Sequence, residues 1–548
     1  MTGVVAAGSG FALTSTASAA TSTETVSVFS TDDSYTSSTR RTANFGQADK
    51  LVVGKSDGET RLAYLKFAPK LAAGVTVTGA ELKLPLESKP LAETLTVYPA
   101  ATSWTEKSLT AANAPALGKA LTSIKPKVTD TTLSFDLSKV VTRAGTYAFA
   151  LKSAATNGVT RLRALEYGDA ASGGPELRLT VTKKVTAPTT SPTKAPTTSP
   201  TTTPTMAPTT APTTAPPTTT PPVVTTPPTT APTTGCTTGA LLVPTCGVLW
   251  GAAAGGFTET PRDQALQEWE ALTGQTAAIY HTYHKGNELF PNKAEIAMTR
   301  DAAKPRVLLV NWKIAYGSTW AKVAAGEQDK RIDTWSAYVK KNYGTQKFFL
   351  ALHHEPENDV NPAAASGMTA KDYANMYRYV IQRLRANGVT NVVNVLAYMG
   401  NEKWMAQSWW KDIYPGDDVV DWIGLDSYVS VEKGYYHYGD MGAILDRKPT
   451  GGGLGWYDWA VTNHPSKPIM VAEWGMYHRT SVKVDKAPAF NSVITELKAH
   501  PKVKAVVYFD TAKDDEGDRD ISVNSTPSSL AAFKKVAADP IFDVTIKN

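Results

Sequence analysis

Cysteine is nearly absent: only Cys236 and Cys246 occur in 548 residues. With no His or Cys at ligand spacing beside them, they exclude a thiolate zinc centre, and no metal or other cofactor is expected. Ten positions apart around Thr237-Thr238-Gly239, they suit a disulfide closing a small loop in an exported protein. No run of 18 apolar residues follows the N-terminus, so no membrane insertion is expected. Charge of one sign is also in short supply. The 56 Lys and Arg against 50 Asp and Glu leave a net +6, scattered along the chain rather than gathered into the basic stripe of a nucleic-acid-binding protein.

What is present divides the chain. Residues 1–21 are small, apolar and uncharged and end in Ala17-Ser18-Ala19-Ala20, the apolar core and cleavage pattern of a secretory signal without its basic start. Residues 185–235 are dominated by Pro, Thr, Ala and Ser, and carry 14 of the 35 prolines. Such a stretch has little to bury and favours polyproline II, a spacer that could reach roughly 150 Å. Residues 22–184 and 236–548 remain as two folded regions.

The first of these alternates at period two in short runs near residues 25–29, 62–67, 75–78, 81–86, 94–98, 133–137, 146–151 and 176–181. Turn residues separate the runs, which predicts an all-β sandwich. Asn44-Phe45-Gly46, Leu51-Val52-Val53-Gly54, Arg61 through Phe67, and Trp104-Thr105-Glu106 with Leu109 and Pro115 resemble the DNRLRE-type domain grouped with carbohydrate-binding module family 96. The resemblance implies a jelly-roll-like module that binds a glycan surface or acts as a spacer.

After Cys246 the pattern changes. Eight apolar runs, at residues 247–252, 277–280, 306–310, 347–352, 392–396, 419–425, 468–472 and 503–509, alternate with helical segments, which predicts a (β/α)₈ TIM barrel. The clearest helix spans residues 369–384. Thr369 and Asp372 form a capping box there, and Tyr373, Met376, Tyr377, Val380, Ile381 and Leu384 share one face.

In such barrels chemistry sits where the strands end. The fourth run ends in His353-His354-Glu355-Pro356-Glu357-Asn358-Asp359 and the seventh in Glu473-Trp474-Gly475. Two carboxylates facing across a barrel mouth are what glycoside hydrolysis needs: one acid for the leaving oxygen, one carboxylate for the anomeric carbon or a water. Glu357 is an alternative acid lying deeper in the loop.

These phrases, with Asp426-Ser427-Tyr428 after the sixth run, resemble glycoside hydrolase family 26, retaining enzymes best known as β-mannanases. The resemblance implies Glu355 as acid/base, Glu473 as nucleophile, Tyr428 as the group orienting it, and carboxyl groups about 5–5.5 Å apart. It points to β-1,4-mannan as substrate. Two departures, no Arg upstream of Glu355 and Glu357-Asn358-Asp359 in place of a following Asn-Gly, open the alternatives of β-1,3-xylan and mixed-linkage β-glucan. A non-catalytic polysaccharide-binding surface protein on a degenerate barrel is a further alternative.

Twelve of the 13 Trp follow the Pro/Thr stretch. Flat sugar faces stack on such rings, so Trp312, Trp404 and Trp474 are expected at the substrate, with His354, Asp426, Tyr428, and Tyr283 and His284 after the second run. The whole reads as a monomer that acts on a polysaccharide and is secreted or held at the cell wall.

Overall fold

The computed structural model describes residues 21–56, 58–165, 173–184 and 235–547. The leader and the Pro/Thr stretch expected above lie outside these residues, apart from Thr21 and Gly235.

The N-terminal region is a sandwich of two antiparallel sheets. One has the strand order Thr21–Phe29, Glu176–Lys184, Val75–Pro85, Thr132–Asp136; the other runs Gly158–Arg163, Lys50–Ser56, Glu59–Phe67, Tyr147–Ser153, Leu95–Pro99, Thr122–Ile124, with Asp32–Ser37 paired on Glu59–Phe67. Period-two alternation turns Leu65, Phe67, Leu82, Leu84, Phe135 and Phe149 into the shared core. The two runs expected at 75–78 and 81–86 are one strand, and four short strands carry too little alternation to be read from sequence.

The phrases that suggested the module meet in space as packing. Asn44 Nδ2 donates to the carbonyls of Glu106 (2.7 Å) and Leu109 (2.7 Å). Trp104 is buried, Lys66 lies 4.7 Å over its ring, and a Cβ on Gly46 would strike the Glu106 carbonyl at 2.2 Å.

The C-terminal region is a closed parallel barrel of eight strands: β1 Leu249–Ala254, β2 Ile279–Lys285, β3 Val307–Lys313, β4 Phe348–Leu352, β5 Val392–Met399, β6 Trp422–Ser430, β7 Ile469–Arg479 and β8 Val503–Asp510. Each pairs with its neighbour in sequence, β1 pairs with β8, and the ring is complete. Both faces of each strand are covered, so the strands read as continuous apolar runs. Leu249, Ile279, Leu309, Phe349, Val395 and Met470 fill the barrel, while Trp250, Leu308, Leu350 and Leu425 pack outward on helices. All eight expected runs are strands. Helix Ala370–Ala386 has the expected capping box and buries all six apolar residues named for it.

The disulfide between Cys236 and Cys246 is formed. Its loop inserts Leu242 into the interior cluster at the N-terminal end of the barrel, while the Leu241 carbonyl accepts from Trp422 Nε1 (2.8 Å) and the Ala240 carbonyl from Lys347 Nζ (2.6 Å). The cross-link closes the floor, and the opposite end stays open. Among the described residues, no helix is long and apolar enough to cross a membrane.

Candidate active site

The open end holds a cleft of about 750 Å³ lined by Tyr283, His354, Glu355, Asp426, Tyr428 and Glu473, with Phe257, Arg262, Tyr436 and Tyr477 among its other walls. The six residues named first were all expected there. Local backbone irregularities aim the two acids.

Along β7 the register with β6 and β8 shifts beside residues 471–474. A bulge lets consecutive residues face one side. Ala472 accordingly packs into the barrel interior, Glu473 faces the cleft, and Trp474 turns outward against Tyr508 and Phe533. Gly475 follows because a Cβ there would meet Ile521 at 2.4 Å and the Tyr428 ring at 3.0 Å. At the end of β4, His353 (φ 51°) and Glu355 (φ 50°) both take the left-handed backbone region, an uncommon conformation for side chains of this size. The turn is held by the Glu355 N–H donating to the Ala397 carbonyl at 3.0 Å.

Glu473 is 6 % exposed and almost saturated with donors. Tyr283 donates to its Oε1 at 2.8 Å and Tyr428 to its Oε2 at 2.8 Å, with Asn311 Nδ2 at 3.4 Å. Burial raises its pKa overall, and the two tyrosine hydroxyls and the Arg262 charge work against that rise. Glu355 has one side-chain donor, Asn358 Nδ2 at 3.0 Å. Its carboxyl is held well above the usual range, first by burial and then by the negative charge of Glu473. With hydroxyls on one carboxylate and repulsion on the other, the proton belongs on Glu355 and the charge on Glu473.

Asp426 pairs in register with Glu473 and is buried, and neither of its oxygens has a well-formed hydrogen bond. Burial, then Glu473, push its pKa well up. Such a group at a cleft wall is ready to bond an incoming hydroxyl. His354 sits 3.9 Å from Glu473, and burial pushes its pKa down to about 3, so a neutral ring faces the pair. The preceding His353 is a strut: its Nδ1 accepts from Trp320 Nε1 (3.2 Å) and its Nε2 meets Asp359 at 2.7 Å.

Four expected substrate contacts are corrected by the structure. Trp312 and Trp474 are fully buried, and Trp404 packs on Trp409 and is absent from the cleft wall. His284 is fixed between Glu295 (2.8 Å) and Glu288 (3.1 Å). Strand position alone does not say whether an aromatic ring faces the mouth or the surrounding helices, and the helices took Trp312 and Trp474. The exposed rings in the cleft are Phe257 and Tyr436, which sequence reasoning passed over. A signal existed for Phe257: it follows Gly255-Gly256 directly after β1, an aromatic in a loop with no apolar period.

Glu357 is completely buried and does not line the cleft; it accepts from the Met399 N–H (3.2 Å) and from Trp410 Nε1 (3.0 Å). Burial raises its pKa to about 7. A carboxyl whose folded pKa exceeds its unfolded value contributes stability that is complete below about pH 4 and is lost as pH rises through 7. The thermal unfolding midpoint is therefore expected to fall between about pH 5 and 8. Glu357→Gln should flatten that slope, and an unchanged slope would show that Glu357 ionises freely.

A closed parallel barrel with a hydroxyl-held carboxylate and a second, protonated carboxyl at its C-terminal mouth has the equipment of the glycoside hydrolase class. Residues 349–448 match the model described as Glycosyl hydrolase family 26, and residues 24–181 match Carbohydrate-binding module family 96. The first match lies within the barrel and the second spans most of the sandwich. The chain is 25 % identical over 309 residues to Endoglucanase H of Acetivibrio thermocellus, covering 52 % of this chain and 30 % of that protein. With Beta-1,3-xylanase TXYA of a Vibrio species it shares 30 % identity over 112 residues, 19 % of this chain and 22 % of the relative. The chain thus spans less than a third of either relative. Among solved structures, a modular endo-β-1,4-mannanase from Cellulomonas fimi aligns with a TM-score of 0.38 and 20 % identity, covering 54 % of this chain and 71 % of that one. A ruminal GH26 endo-β-1,4-mannanase aligns at 0.38 and 12 %, covering 87 % and 88 %.

Proposed function

We propose that the protein is an endo-acting β-glycoside hydrolase that cleaves a polysaccharide outside the cell with retention of configuration. The observation that carries this reading is the unequal pair: Glu473 beneath two tyrosine hydroxyls, and Glu355 held protonated by burial and by that charge. In the first step Glu473 attacks the anomeric carbon while Glu355 protonates the departing glycosidic oxygen. A covalent glycosyl-enzyme forms, and the shortened chain leaves as an alcohol. In the second step Glu355, now ionised, takes a proton from water, the water oxygen attacks the anomeric carbon, and Glu473 departs as a carboxylate. Asp426 and His354 hold sugar hydroxyls beside the reacting ring, and Phe257 and Tyr436 offer stacking faces.

β-1,4-Mannan is the substrate we assign first. β-1,3-Xylan or mixed-linkage β-glucan is the second reading, favoured by the relatives, one an endoglucanase and one a β-1,3-xylanase. A panel of β-mannan, galactomannan, β-1,3-xylan and lichenan, assayed with wild type, Glu355→Ala and Glu473→Ala, separates the readings. New reducing ends from one glycan with wild type, and their loss in both variants, are expected. Failure of wild type on every member would overturn the assignment to these β-glycans.

A further inference from the structure

Phe257 stands in the loop between β1 and helix Arg262–Thr273, and that loop has anchors on two different domains. On the barrel side, the Gly256 N–H donates to the Asp510 carbonyl (3.0 Å) and Thr511 Oγ1 donates to the Gly256 carbonyl (2.6 Å). On the other side the partner is the sandwich. Arg161 grips Glu259 with two nitrogens, Nε at 2.9 Å and Nη2, and the buried Tyr35 donates its hydroxyl to the Glu259 carbonyl at 2.8 Å. A bidentate guanidinium–carboxylate pair fixes direction as well as distance. The Glu259 side chain is only 13 % exposed, so this pair escapes most of the solvent screening that weakens surface ion pairs. Two looser pairs flank it on the same face, Arg40 with Glu268 (3.4 Å) and Glu87 with Lys285 (3.8 Å).

Between these anchors Phe257 adopts φ 55°, in the left-handed region. A phenylalanine holds that conformation only where its surroundings impose it. The ring is 59 % exposed, its one ring contact among the described residues is Phe509 at 5.7 Å, and it lines the cleft. An apolar ring held open to water at the mouth of a polar cleft is placed to stack on something that arrives.

We infer that the sandwich is a positioning module for the cleft: through Arg161 and Tyr35 it holds Glu259, and so presents Phe257 as a stacking platform for a sugar unit of the polysaccharide beyond the bond being cut. This rests on the hydrolase reading above. Phe257 is the binding residue, and Arg161, which never meets the glycan, is a positioning residue.

The test uses the full chain: wild type, Phe257→Ala, Arg161→Ala, the double variant, and the charge exchange Arg161→Glu with Glu259→Arg. Kinetics are measured on whichever panel polysaccharide wild type cleaves and on a short aryl glycoside of the same sugar. Retention in gels containing that polysaccharide is measured in parallel in a Glu473→Ala background; if nothing in the panel is cleaved, lichenan and galactomannan gels are used. KM for the polysaccharide should rise about fivefold in Phe257→Ala and comparably in Arg161→Ala. The double variant should be no worse than either single change, because both remove one platform. Arg161→Ala should turn over the short glycoside as wild type does, and the charge exchange should recover part of the lost KM. Wild-type KM and gel retention in Arg161→Ala, at an unchanged unfolding midpoint, would overturn the inference, as would additive losses in the double variant. Cleavage of no glycan by wild type would count against the hydrolase reading alone, since retention still reports the platform.

Discussion

Glu473→Ala is expected to lose at least about 10⁴-fold in turnover, the scale seen when the attacking group of a covalent mechanism is removed. Added azide should then restore product with the configuration inverted. The small anion fits the space left by the side chain and attacks the anomeric carbon in one displacement, while Glu355 still protonates the leaving oxygen, so a β-glycan yields an α-glycosyl azide. Glu355→Ala should behave in the opposite way. Its first step is slow on the polysaccharide, but an aryl glycoside with a good leaving group still glycosylates Glu473, losing the phenolate. Azide then displaces Glu473 from the face the leaving group vacated and yields the β-azide. The two products, distinguished by the anomeric proton coupling in NMR, assign each carboxylate independently. Exchange of the two outcomes would reverse the roles. Free sugar of inverted configuration from the wild type would replace the covalent route with a single displacement by water.

Much of this arrangement was legible because it depends on local pattern. Eight apolar runs with helical segments between them are the pattern of a closed βα barrel, and the carboxylates at the fourth and seventh strand ends then stand across its mouth. The Thr369 and Asp372 capping box is local chemistry and was equally readable. Other features depend on contacts made only after folding. Tyr283 looked like a sugar contact after the second apolar run, yet its hydroxyl lies on Glu473, 190 positions away. Trp474 beside Glu473 looked like a platform, but the β7 bulge turned it toward the helices. The Arg161 grip on Glu259 joins two domains across the Pro/Thr stretch, and neither residue carries a local sign of the other.

Tyr283→Phe and Tyr428→Phe each remove one hydroxyl from the proposed nucleophile, Glu473, and little else. A hydrogen bond to a charged group contributes about 1.5–3 kcal/mol, so either variant should lose about 10- to 100-fold in kcat/KM. The pH profile separates a nucleophile-holding role from a sugar contact. Burial raises the Glu473 carboxyl, and the two hydroxyls pull it back down. With one hydroxyl gone its pKa rises further, a higher pH is needed before the carboxyl loses its proton and is free to attack, and the acidic limb of kcat/KM must move to higher pH. The alkaline limb belongs to Glu355, which has to keep its proton and which neither tyrosine touches; it should stay nearly in place, so the profile narrows from its acidic side. The double Tyr→Phe variant should narrow it further. A Tyr283→Phe variant with the wild-type acidic limb and a raised KM would move Tyr283 from Glu473 to the sugar, the role its position after the second apolar run first suggested.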